Sequence, residues 1–161
     1  MRIRAVREAD APAVWAIIGP IIRGGAEYAL ERDMSEADAI AYWYGADRET
    51  YVAEVDGEVL GTYYIRPNQP GGGRHVANCG YAVSSAARGR GIARAMCAHS
   101  LVRAREAGYR AMQFNFVIAT NTRAIALWEG MGFATLARLP GAFVHPAEGE
   151  VDALVMYQRL D

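Results

Sequence analysis

The spacing of apolar residues divides the chain into strand-like and helix-like segments. Apolar and polar residues alternate over the first six positions, which predicts a short strand with charged side chains facing outwards. A similar pattern recurs over residues 51–55 and 59–65, and the Asp56-Gly57 pair between them is typical of a hairpin turn. Further strands are predicted at residues 75–83, 111–117, 134–139 and 151–159.

Four other segments have the composition and spacing that are typical of helices. They run from Asp10 to about Ile22, from Ser35 to Tyr44, from Ile92 to Ala107 and from Asn121 to Trp128. We expect Gly19-Pro20 to kink or end the first helix, because proline lacks an amide proton. Residues 67–74 contain three glycines and two prolines, so they are predicted to form a loop without regular structure.

The predicted elements follow one another in the order β, α, α, β, β, β, α, β, α, β, β. This order is typical of a mixed α/β domain in which helices pack on a central sheet. The length of 161 residues fits one domain, spanning residues 1–161, and is too short for two ordinary domains. Hydrophobic residues make up 52% of the chain and charged residues 22%, a balance that is typical of globular proteins.

Charge and cysteine content argue against several classes of function. The formal net charge is −1, so no overall field attracts nucleic acid, and we expect no nucleic-acid partner. No apolar run approaches the roughly twenty residues that span a bilayer, and the charged first ten residues are unlike a signal peptide. Cys79 and Cys97 provide neither a disulfide framework nor metal-ligand spacing. We therefore expect a cytoplasmic protein with no metal site and no membrane partner.

The segment Arg88-Gly89-Arg90-Gly91 lies between a predicted strand and a predicted helix. Glycines let the main chain approach an anion closely, and the first amides of a helix point outwards without internal partners. The spacing differs from that of a dinucleotide-binding loop, and the Lys-Ser/Thr pair of a P-loop is missing. The segment therefore predicts a pyrophosphate site, with an ordinary turn as the alternative.

The pattern Arg88-x-x-Gly91-x-Ala93 resembles the acetyl-CoA signature of the GNAT family of N-acetyltransferases, and the predicted order of elements is similar to that of the GNAT fold. The resemblance implies a mostly antiparallel sheet whose fourth and fifth strands splay apart to admit the pantetheine arm. It also implies acetyl-CoA as cosubstrate and allows a homodimer, since many members dimerise. The implied cofactor-binding residues are Tyr81, Val83, Arg88, Gly89, Arg90, Gly91, Ile92, Ala93, Asn121 and Trp128.

The segment from Asn121 to Phe133 resembles the last helix of GNAT enzymes at every fixed position except one. Trp128 stands where many members have a tyrosine that acts as the acid, and an indole is no useful proton donor. Residues 75–83 contain no carboxylate that would act as the base. The usual acid–base pair of the family is therefore missing.

Three asparagines, Asn78, Asn115 and Asn121, are candidate catalytic residues. Their surroundings resemble those in fungal N-acetyltransferases that detoxify proline analogues such as azetidine-2-carboxylate. That resemblance implies that Asn78 binds the substrate nitrogen, Asn115 holds a small-molecule amine acceptor, and Asn121 orients the acetyl carbonyl or pantetheine. The alternatives are a simple helix cap for Asn121 and plain strand positions for the other two.

Other interpretations stay open at this point. Residues 25–30 correspond to an acceptor lid in GNAT proteins, and Tyr28, Tyr63 and Tyr64 are candidate walls of an acceptor pocket. The acceptor alternatives are a phosphinothricin-like compound, a polyamine or a peptide N-terminus. From another class, the alternatives are an acyl-CoA-binding module without catalysis and an RNA-binding protein with Arg-Gly motifs.

Overall fold

In the computed structural model, which describes residues 1–161, one sheet of seven strands is flanked by four α-helices. The elements are β1 (Arg2–Ala5), α1 (Ala11–Gly24), α2 (Glu36–Trp43), β2 (Glu49–Val55), β3 (Glu58–Pro67), β4 (Val76–Val83), α3 (Ile92–Glu106), β5 (Ala111–Ile118), α4 (Thr122–Gly130), β6 (Ala134–His145) and β7 (Gly149–Arg159). Their order confirms the mixed α/β fold expected from the sequence.

The direction of strand pairing changes at the centre of the sheet. Its strand order is β1-β2-β3-β4-β5-β7-β6, and every neighbouring pair is antiparallel except β4 and β5. These two strands pair in parallel only at Val76–Ala111 and Ala77–Met112. Beyond Ala77 they diverge, as expected, and leave main-chain groups of β4 without a neighbouring strand.

Each face of the sheet carries its own hydrophobic core, because successive side chains of a strand point to opposite faces. Helices α1 and α2 pack on one face, where Ile18, Trp43 and Tyr64 are buried together. Helices α3 and α4 pack on the other face, where Met96 and Trp128 are buried. The cleft between β4 and β5 therefore has a helical layer on either side.

Helix α1 is longer than predicted. It continues through Gly19-Pro20 to Gly24, two residues beyond the predicted end near Ile22, so of the two expected effects of this pair, a kink or an end, the end is wrong. The helix ends instead at Gly25, which has a left-handed φ of 67° and donates its N–H to the Ile21 carbonyl. Packing of Ile17, Ile18 and Ile22 against the sheet outweighs the one hydrogen bond that proline cannot make.

Two further boundaries differ from those predicted. Strand β6 runs through Pro140 to His145, and a register shift between Leu139 and Phe143 accommodates the proline. The Asp152 carboxylate of β7 accepts hydrogen bonds from the Gly141 amide and the Arg138 guanidinium there. The loop after β3 contains one short 3-10 turn at Gly71–Gly73, where no regular structure was expected.

Candidate active site

The main chain before α3 has the geometry of an anion site. Gly89 and Gly91 adopt left-handed φ values of 78° and 77°, and a Cβ atom added to either would meet nothing within 4 Å. Gly91 caps α3, and no side chain accepts a hydrogen bond at this helix end. The first amides of α3 are therefore available to a bound anion, with the positive end of the helix dipole behind them.

Arginines surround this helix end unevenly. Arg88 and Arg94 line the cavity beside it, whereas Arg90 is not among the lining residues. Arg88 donates from Nη2 to Oε1 of Glu27 at 3.0 Å, and both side chains are partly exposed. The pair links the predicted cofactor loop to the segment between α1 and α2.

The main chain of β4 offers hydrogen-bonding groups to the cleft. The amide of Ser84 donates to Leu60 and the amide of Asn68 donates to Val76, both at 2.8 Å, so the even-numbered residues of β4 face β3. The odd-numbered residues Cys79, Tyr81 and Val83 therefore face the cleft with their N–H and C=O groups. An extended ligand with amide groups can pair with them as an additional strand does.

One of these groups already has a side-chain partner. The Tyr28 hydroxyl donates to the Tyr81 carbonyl at 2.6 Å, and the Tyr28 ring packs edge-on against Trp43. Burial raises the pKa of Tyr28, so its hydroxyl stays protonated and remains a donor. This contact holds the segment between α1 and α2 against the open part of β4.

A single cavity of about 550 Å³ extends from the N-terminal end of α3 along the cleft between β4 and β5 to the tyrosines of α2 and β3. Every residue predicted to be catalytic or cofactor-binding lines this cavity except Arg90. The candidates brought together are Asn78, Tyr81, Val83, Arg88, Gly89, Gly91, Ile92, Ala93, Asn115, Asn121 and Trp128. Residues from strands β4 and β5, from helices α3 and α4 and from the turns before those helices thus share one surface.

The asparagines take part in hydrogen bonds within the protein. Asn78 donates from Nδ2 to the Gln113 carbonyl at 3.0 Å, across the point where β4 and β5 separate. Asn115 accepts from the Gln113 side chain and donates to Asn68 Oδ1 at 2.7 Å. Asn121 accepts from the Ala124 amide at 3.3 Å and so caps α4. Each of the three nevertheless contributes to the cavity wall.

No strong acid or nucleophile is evident on β4 or α4. Trp128 is buried, and its ring lies 4.9 Å from that of Tyr81. Burial raises the pKa of the Cys79 thiol to about 12, so a thiolate is disfavoured at neutral pH. The site is therefore suited to positioning a nucleophilic amine rather than to covalent catalysis by the protein.

The tyrosines that line the cavity differ in part from those predicted from the sequence. Tyr64 lines the cavity and Tyr63 does not, because Tyr63 points to the other face and its hydroxyl lies 2.7 Å from Nδ1 of His99. Tyr42 of α2, which was not among the candidates from the sequence, also lines the cavity. Two adjacent tyrosines on one strand cannot share a face, and this alternation was the available signal for choosing between Tyr63 and Tyr64.

The sequence profile of the acetyltransferase (GNAT) family matches residues 20–133 of the chain. The chain belongs to the GNAT family. GNAT enzymes use acetyl-CoA as the acyl donor. N-acetyltransferase aca1 of Schizosaccharomyces pombe is 38% identical over 98 residues, which cover 60% of this chain. That match spans 47% of the length of aca1, so the chain corresponds to about half of this curated relative.

Solved GNAT structures superpose on nearly the whole chain. A GCN5-related N-acetyltransferase from Kribbella flavida is 39% identical, with a TM-score of 0.94, 98% coverage of this chain and 96% of that chain. The acetyltransferase YncA of Salmonella typhimurium, solved with acetyl-CoA, is 25% identical, with a TM-score of 0.89, 100% coverage of this chain and 94% of that chain. These similarities confirm the GNAT fold.

The main-chain groups that line the cavity fit the chemical groups of acetyl-CoA. The α3 amides that no side chain caps, the two left-handed glycines and the part of β4 that no neighbouring strand pairs with are suited to a pyrophosphate and an extended arm. No group of three or more His, Cys, Asp or Glu side chains is arranged to hold a metal ion. None of the helices has the length and apolar character needed to cross a bilayer.

Proposed function

We propose that residues 1–161 act as one GNAT domain that acetylates the nitrogen of a small amine, with an amino or imino acid such as a proline analogue as acceptor. The observation that carries this proposal is the continuous cavity, which runs from the α3 amides through the β4/β5 cleft to the polar groups around Asn78 and Asn115. Two similarities support the choice of acceptor. One is the 38% sequence identity over 98 residues with the fission-yeast N-acetyltransferase aca1, and the other is the motif resemblance to fungal enzymes that acetylate proline analogues.

The cofactor would be held mainly by main-chain groups. The amides at Gly89, Gly91 and the start of α3 would bind the pyrophosphate, with Arg88 and Arg94 adding positive charge. The odd-numbered residues of β4 would bind the pantetheine amides. When bound, acetyl-CoA supplies a thioester carbonyl as the acyl donor. Trp128 would then pack beside the arm as an apolar wall.

The asparagines would position the acceptor rather than remove its proton. Asn78 donates one Nδ2 hydrogen to the Gln113 carbonyl, and this bond fixes the plane of the Asn78 side-chain amide. Its Oδ1 is then left to accept a hydrogen bond from the N–H of the acceptor amine. Asn115 would contact the acceptor from the β5 side, and Asn121 would orient the carbonyl from the start of α4. A correctly placed neutral secondary amine would bond to the acyl carbon as the C–S bond breaks, and the cationic nitrogen would then lose its proton to water or to the leaving thiolate. The protein would therefore have to orient the reactants rather than supply a base.

An acyl-CoA-binding module without catalysis is the second candidate, and the observation that favours it is the pair of missing ionisable groups. Measurement of free-thiol release from acetyl-CoA with a panel of amines separates the two. The panel contains azetidine-2-carboxylate, phosphinothricin, spermidine and a short peptide with a free N-terminus. We expect release with azetidine-2-carboxylate. If acetyl-CoA raises the melting temperature but no amine releases thiol, the module is the better description.

A homodimer stays part of the proposal on family grounds alone. Sedimentation at two protein concentrations tests it directly. A single species with the mass of one chain at both concentrations would remove it.

A further inference from the structure

Two tyrosines meet at the acceptor side of the cavity. Tyr42 projects from α2 and Tyr64 from β3, their rings cross edge-to-face, and their hydroxyl oxygens lie 3.3 Å apart. Both line the cavity. Two hydroxyls that share one hydrogen bond have a second proton to donate, and no protein acceptor takes it. The pair therefore offers an O–H donor to a bound acceptor.

The position of Tyr64 relative to β4 is tightly fixed. A Cβ atom added to Gly80 would lie 2.5 Å from Cε2 of Tyr64 and 2.8 Å from its hydroxyl oxygen. Only glycine is compatible with that approach, so the phenol lies directly over the part of β4 that has separated from β5. The tyrosine pair is thus next to the strand that would hold the thioester.

A buried cation lies behind both rings. The guanidinium carbon of Arg48 is 4.9 Å from the Tyr42 ring centroid and 4.7 Å from the Tyr64 ring centroid. The Arg48 side chain is only 7% exposed, and its Nη1 is buried without any hydrogen-bond partner. An unpaired buried donor on a charged group is unfavourable in the free protein and indicates a place where negative charge would be stabilised.

The neighbouring charges leave this region positive. Asp47 accepts from Nε of Arg48 at 2.8 Å and lies 3.5 Å from Nε of Arg66, so one carboxylate serves two guanidinium groups. Among the residues lining the cavity, Glu27 is the only acid, and it is paired with Arg88. Burial raises the pKa of Tyr64, which keeps its hydroxyl neutral and able to donate.

We infer that the Tyr42–Tyr64 hydroxyl pair, backed by Arg48, is the subsite that binds the carboxylate of the acceptor, and that the protein therefore selects amines that carry a carboxylate. This inference rests on the proposed function. The free tyrosyl O–H donates to a carboxylate oxygen, while the cation behind the rings makes the phenols stronger donors and compensates the charge. An acceptor without a carboxylate gains neither contact, so polyamines and peptide N-termini are poor acceptors.

The test compares an acid with its uncharged amide. Calorimetry in the presence of CoA measures binding of L-azetidine-2-carboxylate and of L-azetidine-2-carboxamide to the wild-type protein and to Tyr64→Phe. We expect the wild type to bind the acid at least tenfold more tightly than the amide. In Tyr64→Phe the preference shrinks to less than threefold, because affinity for the acid falls while affinity for the amide changes little.

Tyr44→Phe is the matched control, because the Tyr44 hydroxyl donates to the Arg7 carbonyl outside the cavity. It is expected to bind both compounds as the wild type does. Arg48→Met should also lose the preference for the acid, and Tyr42→Phe replaces it if the buried substitution prevents folding. Equal wild-type affinity for acid and amide, an unchanged preference in Tyr64→Phe, or no binding of either compound overturns the inference. Thiol release with any amine would still uphold the proposed function in those cases.

Discussion

The two ends of the cavity are built by different means. At the proposed cofactor end, seven consecutive residues from Arg88 to Arg94 supply the turn and the helix N-terminus, and their main-chain amides would be the binding groups. At the acceptor end, side chains come from the segment after α1, from α2, from β3 and from both diverging strands. Main-chain recognition leaves a local pattern in the sequence, whereas recognition by distant side chains depends on the fold.

The largest expected effect is at the cofactor end. Gly91→Glu should weaken CoA binding at least a hundredfold, because it places a carboxylate at the helix N-terminus and forces a left-handed φ of 77° on a residue with a side chain. Calorimetric titration with CoA measures the change. Gly71→Glu is the control, since Gly71 also has a positive φ, 55°, and open space around it. Equal loss of affinity in both variants would mean that the effect is not local.

A smaller effect is expected from one acceptor-end asparagine. Asn115→Ala should lower kcat/KM about tenfold while changing the free energy of unfolding by less than about 1 kcal/mol, because the side chain is exposed and replaceable by water. Gln113→Ala is the matched control, since it removes the neighbouring hydrogen bond without altering a residue that lines the cavity. Steady-state kinetics and urea denaturation measure the two quantities. Full turnover in Asn115→Ala would place this residue outside the site.

The smallest effect tests the connection between the two ends. Glu27→Gln removes the ion pair with Arg88 and should strengthen CoA binding by up to about fivefold, because the arginine no longer has to leave a carboxylate partner. The size follows from the roughly 0.2–1 kcal/mol that exposed ion pairs contribute, and it should shrink as salt concentration rises. Weaker CoA binding in this variant would mean that Glu27 supports the loop instead of competing for Arg88.

The fold and the geometry of the loop before α3 could be predicted from the sequence, and the opposite end of the cavity only in part. Strand alternation and the Arg-Gly turn are short-range features, so the order of elements and the loop at Arg88–Gly91 followed from them. The end of α1 at Gly24, beyond the predicted end near Ile22, did not, because it depends on tertiary packing. The roles of Tyr42 and Arg48 could not be predicted either, because their contacts with Tyr64 bring together α2, the loop after it and β3.

The short stretch of parallel pairing between β4 and β5 affects the stability of the whole protein. Strand pairing between the first four strands, β1 to β4, and the last three, β5, β7 and β6, is limited to two residue pairs. A ligand that pairs with the free edge of β4 would lie between these two groups of strands and add hydrogen bonds to the sheet. Occupancy and folding are then thermodynamically linked, and a ligand at one hundred times its Kd adds about 2.7 kcal/mol to the free energy of unfolding.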